Sequence, residues 1–197
     1  MWLSGEYVIW QDKQFLRRTQ IKLRGLHNVE NVMAACLLAI MAGAAAPDIA
    51  KAVETFPGVE HRIEFVRSLR GVDYYNDSKA TNVDSTQKAI DAFKGHLWVI
   101  LGGKDKDSDY RPLRDSLAKK ANGVLLIGTA APIIRNHLEG AVPLVDAGTL
   151  KEAVHFVHQN AEAGDIVLLA PACASFDQFE SYEHRGRAFK HLVNDLK

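Results

Sequence analysis

The sequence lacks the two nucleotide-binding motifs that are easiest to recognise. None of its 197 residues belongs to a GxxxxGK(S/T) phosphate loop, so the chain shows no standard lysine and hydroxyl pair for ATP phosphates. It also has no GxGxxG followed by an acidic residue. That absence argues against a nicotinamide-dependent dehydrogenase.

Charge imbalance and metal-type cysteine spacing are missing as well. Lys plus Arg and Asp plus Glu number 24 each, so no general basic field favours nucleic acid as a partner. The two cysteines, Cys36 and Cys173, show neither CxxC nor Cys/His zinc spacing. Buried, reduced thiols in a cytoplasmic protein are therefore expected.

Long apolar runs are also absent. The start of the chain has no basic region followed by a long apolar stretch, so no signal peptide is predicted. The most apolar segment, residues 32–46, is rich in alanine and short for a bilayer span. We interpret it as a buried helix and expect no membrane association.

Short apolar strands alternate with helical patterns through most of the chain. The strands are predicted at 63–69, 72–75, 97–101, 124–127, 142–145 and 166–169. The helices are predicted at 83–93, 110–121, 131–138, 150–161 and 183–196. This alternation predicts an α/β fold with a doubly wound, mostly parallel, Rossmann-like sheet. Arg70 and Gly71 form a tight turn between the first two strands, which predicts one antiparallel strand.

The first 57 residues follow a different pattern. Their predicted strands are 7–10, 15–16 and 21–23, with too little apolar surface to fold alone. Asn28 is placed to cap a helix that is apolar on several faces and is expected to pack on more than one side. A second helix contains Pro47 in its first turn. We place a domain boundary after Pro57, which gives domains 1–57 and 58–197.

Two polar loops follow predicted strands, at residues 76–82 (NDSKATN) and 170–179 (APACASFDQF). Loops that leave the carboxyl ends of parallel strands converge on one crevice, where ligands bind. The first loop combines an aspartate, a lysine and hydroxyl groups, which suit a ligand with phosphates and hydroxyls. A polar loop that only caps the next helix would look similar.

A third loop, residues 102–106 (GGKDK), follows a strongly apolar strand. Paired glycines let a backbone turn sharply and approach a ligand closely, although glycine is common at such turns. A flexible ammonium there can pair with a carboxylate. The sequence does not decide between Lys104 and Lys106 for that role.

Ser175 and Cys173 allow more than one interpretation. Ser175 lies just past a strand end, where hydroxyl and N–H groups bind carboxylates, but it could equally be a helix cap. Cys173 is a weak candidate nucleophile, because its neighbours are alanines and no paired histidine is evident nearby.

Five segments, taken in order, resemble the carboxyl-terminal part of the Mur ligases, the ATP-dependent amide ligases that build the peptidoglycan stem peptide. They are 25–31 (GLHNVEN), 61–62 (HR), 77–82 (DSKATN), 102–106 (GGKDK) and 175–179 (SFDQF). The resemblance covers the chain from about Gly25 to its end. It implies that 1–57 is the tail of a central ATP-binding domain and that 58–197 is the amino-acid-binding domain.

The resemblance also implies roles for individual residues. The nucleotide side would be formed by Asn28, Asn31, Arg62 and Asp77. Lys79 would serve the phosphoryl chemistry. The D-glutamate site would be formed by Thr81, Lys106, Ser175, Phe176 and Tyr182, although the family often has phenylalanine where Tyr182 stands. Arg62 would couple domain closure to ATP, and no metal ligand is expected in this chain.

The resemblance is nearest to the members that add D-glutamate to UDP-N-acetylmuramoyl-L-alanine through an acyl phosphate. It implies a cytoplasmic, monomeric enzyme that uses ATP and Mg²⁺, with the phosphate loop and main magnesium ligands upstream of this chain. We therefore expect the chain to be inactive alone. The alternatives are another Mur or folylpolyglutamate-type ligase that takes a different amino acid, and a non-catalytic α/β ligand-binding module.

Overall fold

The computed structural model describes all 197 residues and divides them into two compact units, Met1–Val59 and Glu60–Lys197. The division falls two residues after the boundary placed at Pro57. That the first unit is the tail of an ATP-binding domain stays a prediction. None of the helices combines the length and apolar character needed to cross a membrane.

The first unit is a small antiparallel sheet followed by two helices. The strands are β1 (Trp2–Ser4), β2 (Tyr7–Trp10) and β3 (Lys13–Arg17), and the helices are α1 (Leu26–Met41) and α2 (Ala46–Thr55). The predicted strand at 21–23 is wrong. A 3-10 turn at Arg18–Gln20 ends β3, and Ile21 is buried in the small core instead.

The start and the packing of α1 also differ from the prediction. Gly25 occupies the N-cap position with a φ of 88°, a left-handed conformation that glycine adopts without strain. Asn28 therefore lies within the first turn and is not the cap. Leu38 and Met41 are largely exposed, so the helix is buried on one side only within this unit.

The second unit contains a six-stranded sheet. Its strands are β4 (Glu64–Leu69), β5 (Val72–Asn76), β6 (Leu97–Gly102), β7 (Ala121–Ile127), β8 (Leu144–Gly148) and β9 (Ile166–Leu169), in the order β4-β5-β9-β6-β7-β8. Only β4 runs antiparallel to its neighbour, which confirms the predicted sheet. Arg70 and Gly71 have φ of 54° and 79°, as a two-residue hairpin turn with right-handed strand twist requires.

Helices cover both faces of this sheet. They are α3 (Val83–Asp91), α4 (Arg114–Lys120), α5 (Ala131–Leu138), α6 (Leu150–Asn160) and α7 (Tyr182–Asp195). The first three share one apolar cluster and the last two share another, which confirms the doubly wound prediction. The helix predicted at 110–121 is shorter, because Arg111–Leu113 forms a 3-10 turn and Ala121 already belongs to β7.

The strand order creates a switch point at β9, which lies between β5 and β6. The chain leaves β5 and β6 toward helices on one face and leaves β9 toward α7 on the other face. Loops that diverge in this way open a crevice at the carboxyl ends of the strands. The three polar loops singled out in the sequence all start at this end.

Substitution of Ile100 in β6 measures how much this central strand contributes to stability. Its side chain is fully buried in the cluster beneath α6 and α7. Ile100→Ala should lower the free energy of unfolding of the second unit by about 2–5 kcal/mol, and Ile100→Val by about 0.5–1.5 kcal/mol. Denaturant unfolding followed by the fluorescence of Trp98, with Trp2 and Trp10 replaced by Phe, measures this unit alone. Equal losses for both variants would contradict the buried placement.

Candidate ligand-binding site at the carboxyl ends of the strands

Backbone hydrogen bonds join three loops, named here loop 1 (residues 77–82), loop 2 (103–107) and loop 3 (170–181). The N–H of Ala172 in loop 3 donates to the carbonyl of Ala80 in loop 1 at 2.9 Å. The N–H of Lys104 in loop 2 donates to the carbonyl of Ala174 in loop 3 at 2.9 Å. Loop 3 is therefore bonded to both of the other loops.

The glycine pair allows loop 2 to approach so closely. Gly103 has a φ of 136°, and a Cβ on it would lie 2.3 Å from the carbonyl oxygen of Ala174. A Cβ on Gly102 would lie 1.9 Å from the carbonyl oxygen of Ile127. Any larger residue would push loop 2 away from its neighbours.

A buried guanidinium links loop 1 to loop 3 through side-chain bonds. Arg185 in α7 is fully buried. Its Nε donates to Ser78 Oγ and its Nη2 to the Ser78 carbonyl, both at 2.9 Å. Nη1 and Nη2 also lie 3.2 Å from the carbonyl of Cys173, to which they donate. Burial lowers the pKa of Arg185 to about 10, so it remains charged at neutral pH.

Lys79 and Tyr182 lie next to each other in this arrangement. Ser78 Oγ donates to the Tyr182 carbonyl at 2.8 Å, which holds the start of α7 against loop 1. The Lys79 ammonium lies 5.5 Å from the centre of the Tyr182 ring, within the range of a cation–π contact. Lys79 itself is exposed and Tyr182 is half-buried.

Asp77 is buried, and its carboxyl group has an unusually high pKa. Burial raises its pKa to about 7, although a backbone hydrogen bond at Ile63 and the charge of Arg62 act in the opposite direction. Arg62 is exposed and makes no ion pair, and Thr81 is half-buried. Arg62 and Thr81 therefore remain accessible to a ligand.

His61 supports the base of loop 1. Its ring is buried and its Nδ1 lies 2.9 Å from the Asn76 side-chain nitrogen, so Nδ1 is assigned as the acceptor. Asn76 Oδ1 accepts the N–H of Ser78 at 3.1 Å. Burial lowers the pKa of His61, which favours the neutral ring that this contact requires.

Glu60, His61 and Glu64 form a group with the donor types of a metal site. However, the Lys190 ammonium lies 2.6 Å from a Glu60 oxygen and 2.9 Å from a Glu64 oxygen. An ammonium already bridges the two carboxylates, and Mg²⁺ requires near-octahedral oxygen ligation. These residues do not fit a magnesium site.

Loop 2 is fixed at Asp105, between its two lysines. The Asp105 carboxylate accepts the Tyr110 hydroxyl at 2.5 Å and the N–H of Asp107 at 3.0 Å. The Lys104 and Lys106 side chains are exposed and form no ion pair. Both ammonium groups are therefore free to meet a negatively charged ligand.

The Cys173 thiol is buried against the hydroxyl of Tyr110. The Tyr110 hydroxyl lies 3.0 Å from the Cys173 sulfur, and burial raises the thiol pKa to about 11. Cys173 is therefore a protonated thiol at neutral pH and a poor nucleophile. Cys36 is also free and buried, so the predicted burial of both thiols is confirmed.

Ser175 is buried, whereas Phe176 is 67% exposed. The helix-cap interpretation of Ser175 is wrong, because α7 begins seven residues later and Ser181 accepts the N–H of His184. In loop 1, Asn82 does cap α3 by accepting the N–H of Ser85 at 2.8 Å. Capping and ligand binding are compatible there, since the cap uses only the last residue of the loop.

Asn28 and Asn31 belong to the first unit. Asn28 is buried and donates to the carbonyl of Arg24 at 2.7 Å, while Asn31 donates to Asn28 Oδ1 at 3.4 Å. Asn31 is exposed. Their predicted place on the nucleotide side stays a prediction.

Arg185 is a residue of this site that was not predicted from the sequence. Its signal was present, because Arg185, Phe189 and Val193 recur every four residues and are all buried on one face of α7. A charge within an apolar helical stripe indicates a buried, hydrogen-bonded group.

Comparison with known proteins gives a family match. Residues 61–173 match the family described as "Mur ligase, glutamate ligase domain". The chain is 57% identical over 195 residues to the UDP-N-acetylmuramoylalanine–D-glutamate ligase of Solibacter usitatus, covering 99% of this chain and 44% of that protein. It is 51% identical over 185 residues to the ligase of the same name from Koribacter versatilis, covering 94% and 41%. The chain thus spans less than half the length of these relatives.

Solved structures with the same fold are more distant in sequence. The UDP-N-acetylmuramate–alanine ligase of Thermotoga maritima matches with a TM-score of 0.68 and 18% identity, over 90% of this chain and 40% of that chain. A folylpolyglutamate synthase of Mycobacterium tuberculosis matches with a TM-score of 0.63 and 14% identity, over 90% and 42%. At these identities the likeness shows the fold alone.

The raised pKa of Asp77 predicts a pH-dependent stability. Between the ordinary carboxyl pKa of 3.8 and about 7, the folded state holds a proton that the unfolded state has lost. Stability therefore falls as the pH rises through this window. Asp77→Asn, which carries no charge, should be more stable than the wild type at pH 8, by up to about 4 kcal/mol, and equally stable below pH 4.

Carbon-13 NMR of the Asp77 carboxyl group measures the titration directly, and unfolding curves of both proteins between pH 4 and pH 9 measure its consequence. A titration midpoint near pH 4, or a stability difference that does not depend on pH, would contradict the buried, protonated aspartate.

Proposed function

The chain belongs to the Mur ligase family, and we propose that it is part of an ATP-dependent ligase that joins D-glutamate to UDP-N-acetylmuramoyl-L-alanine in peptidoglycan synthesis. The observation that carries this proposal is the bonding of loops 1, 2 and 3 into one site at the switch point of the sheet. Both relatives described above bear the name of this activity, and both align with nearly the whole chain.

In the proposed reaction, ATP transfers its terminal phosphoryl group to the carboxylate of the UDP-linked substrate. The amine of D-glutamate then attacks the acyl phosphate, and an amide, ADP and phosphate result. The second unit contributes by holding D-glutamate in position for attack, which is a proximity effect. In this scheme, domain closure driven by nucleotide binding through Arg62 keeps water away from the acyl phosphate.

The charges around the crevice suit a dicarboxylate. Lys104 and Lys106 are exposed and make no ion pair, and we assign Lys106 to a carboxylate of D-glutamate. Thr81, Ser175, Phe176 and Tyr182 complete the amino-acid site in this proposal. Ser175 is buried, so it acts from the floor of the site, whereas Phe176 acts from its rim.

Lys79 serves the phosphoryl chemistry. Its ammonium is exposed and oriented by the Tyr182 ring, which leaves it able to meet a transferring phosphoryl group. Arg62 and Asp77 are assigned to nucleotide binding in this proposal, and so are Asn28 and Asn31. An Asp77 that is protonated near neutral pH can donate a hydrogen bond to a hydroxyl or phosphate oxygen.

Magnesium is expected with ATP, but the described residues offer no suitable site. We propose that its ligands and the phosphate loop lie in the part of the ligase that precedes this chain. The chain alone would then bind D-glutamate weakly without ligating it. The whole enzyme is proposed to be a cytoplasmic monomer, with 1–57 as the end of its ATP-binding domain and 58–197 as its amino-acid-binding domain.

ADP release from a fusion protein tests the function. The chain is placed behind the upstream part of the Solibacter usitatus relative and supplied with ATP, Mg²⁺ and UDP-N-acetylmuramoyl-L-alanine. D-Glutamate, L-glutamate, L-lysine and diaminopimelate are tested separately, and turnover with D-glutamate alone is expected. Turnover with another amino acid would keep the family and overturn the substrate. A folded fusion that turns over none would favour a binding module.

Lys106→Ala tests the carboxylate contact in the same fusion. Loss of a charge-assisted hydrogen bond should raise the KM for D-glutamate by about tenfold to a hundredfold, with the KM for ATP unchanged. Lys104→Ala is the matched control, with a change of less than about threefold, because its ammonium is equally exposed on the same loop. The reverse result would move the role to Lys104.

A further inference from the structure

The buried charge of Arg185 is held without an ion pair. All of its hydrogen bonds go to uncharged oxygens, those of Ser78 and Cys173. Asp177 acts on it electrostatically but forms no salt bridge with it. A desolvated guanidinium is costly to bury, so its placement indicates a task that a neutral, apolar residue could not perform.

That task is visible in the geometry. The planar guanidinium donates on one edge to Ser78 in loop 1 and on another to Cys173 in loop 3. Gly103 in loop 2 lies against it, since a Cβ there would be 3.2 Å from Nη1. One side chain therefore bonds to loops 1 and 3 and lies beside loop 2.

The loops that Arg185 joins carry the proposed ligand groups next to its contacts. Ser78 directly precedes Lys79, and Cys173 lies two residues before Ser175. A change in the spacing of Ser78 and Cys173 would therefore change the spacing of Lys79 and Ser175. Misplacement by about 1 Å is enough to reduce catalysis severely.

We infer that Arg185 is a positioning residue of the proposed ligase, whose guanidinium fork sets the distance between loop 1 and loop 3 and so aligns D-glutamate with the phosphoryl chemistry. This inference rests on the proposed function for its kinetic consequence, but its structural part stands independently. Lysine cannot replace arginine in this role, because an ammonium is a point donor and lacks the planar fork.

Hydrogen exchange on the chain itself tests the structural part. Arg185→Lys keeps the charge, and Arg187→Lys is the matched control, because Arg187 is exposed two residues further along α7. In Arg185→Lys, amide protection should fall about tenfold in both loops together, at Asp77 and Ala172, and remain unchanged in β6 and β7. Unchanged protection in a folded Arg185→Lys protein would overturn the inference.

Kinetics in the fusion protein test the functional part. Arg185→Lys should raise the KM for D-glutamate by about tenfold or more and lower kcat, while the KM for UDP-N-acetylmuramoyl-L-alanine stays within about twofold. A merely less stable enzyme would lose active molecules and leave every KM unchanged. That outcome would reduce Arg185 to a structural residue.

Ser78→Ala keeps the test decisive if Arg185→Lys does not fold. It removes one acceptor of the guanidinium and should give a smaller loss of amide protection and a smaller rise in the KM for D-glutamate. If a folded Ser78→Ala protein shows neither change, the inference is overturned. If the wild-type fusion has no D-glutamate turnover, the proposed function fails. In that case the hydrogen-exchange result alone decides whether Arg185 holds loop 1 and loop 3 in place.

Discussion

The guanidinium of Arg185 is the interaction on which the candidate site depends. It is fully buried, and a charge in that position is tolerated only when its donors are satisfied. Its acceptors come from loops that lie 107 and 12 residues away along the chain. Because the acceptors must reach the charge, the loops that carry them must meet at one place. The constraint that satisfies the cation therefore also assembles the site.

The sheet makes this meeting possible. The position of β9 between β5 and β6 brings the ends of three strands together. The helices that follow these strands lie on opposite faces of the sheet, which leaves the space above the strand ends open. Glycine at 102 and 103 then lets backbones approach to distances that a Cβ would forbid. Topology thus determines which loops are neighbours, and the glycines and the buried arginine determine how closely they lie.

Local patterns predicted the fold well, because strand and helix periodicity depend on neighbouring residues. The hairpin at Arg70 and Gly71 and the alternating elements were of this kind. The failures arose where a local signal competed with another interaction. Asn28 has the chemistry of a cap, but Gly25 could turn the chain earlier. Residues 21–23 have strand-like composition, but the preceding 3-10 turn directs Ile21 into the core.

The candidate site divides into the same two classes. Loops 1, 2 and 3 could be predicted as ligand-binding from composition and position, whereas the contacts of Arg185 join residues too far apart in sequence for any local pattern. Its place in the apolar stripe of α7 signals burial but does not identify Ser78 or Cys173 as partners. Long-range hydrogen bonds of buried polar groups are determined by the tertiary structure, and so were seen only there.

Loop 2 combines a hydrogen-bonded backbone with exposed charges in one short segment. Asp105 is held by the Tyr110 hydroxyl, which also contacts Cys173, so the thiol belongs to the anchor and not to the chemistry. The flanking lysines are exposed and make no ion pair. A lysine side chain loses rotamer entropy when it binds, but a fixed backbone spares the entropy of ordering the loop as well. Such a segment can recognise a small dicarboxylate without any further rearrangement of its main chain.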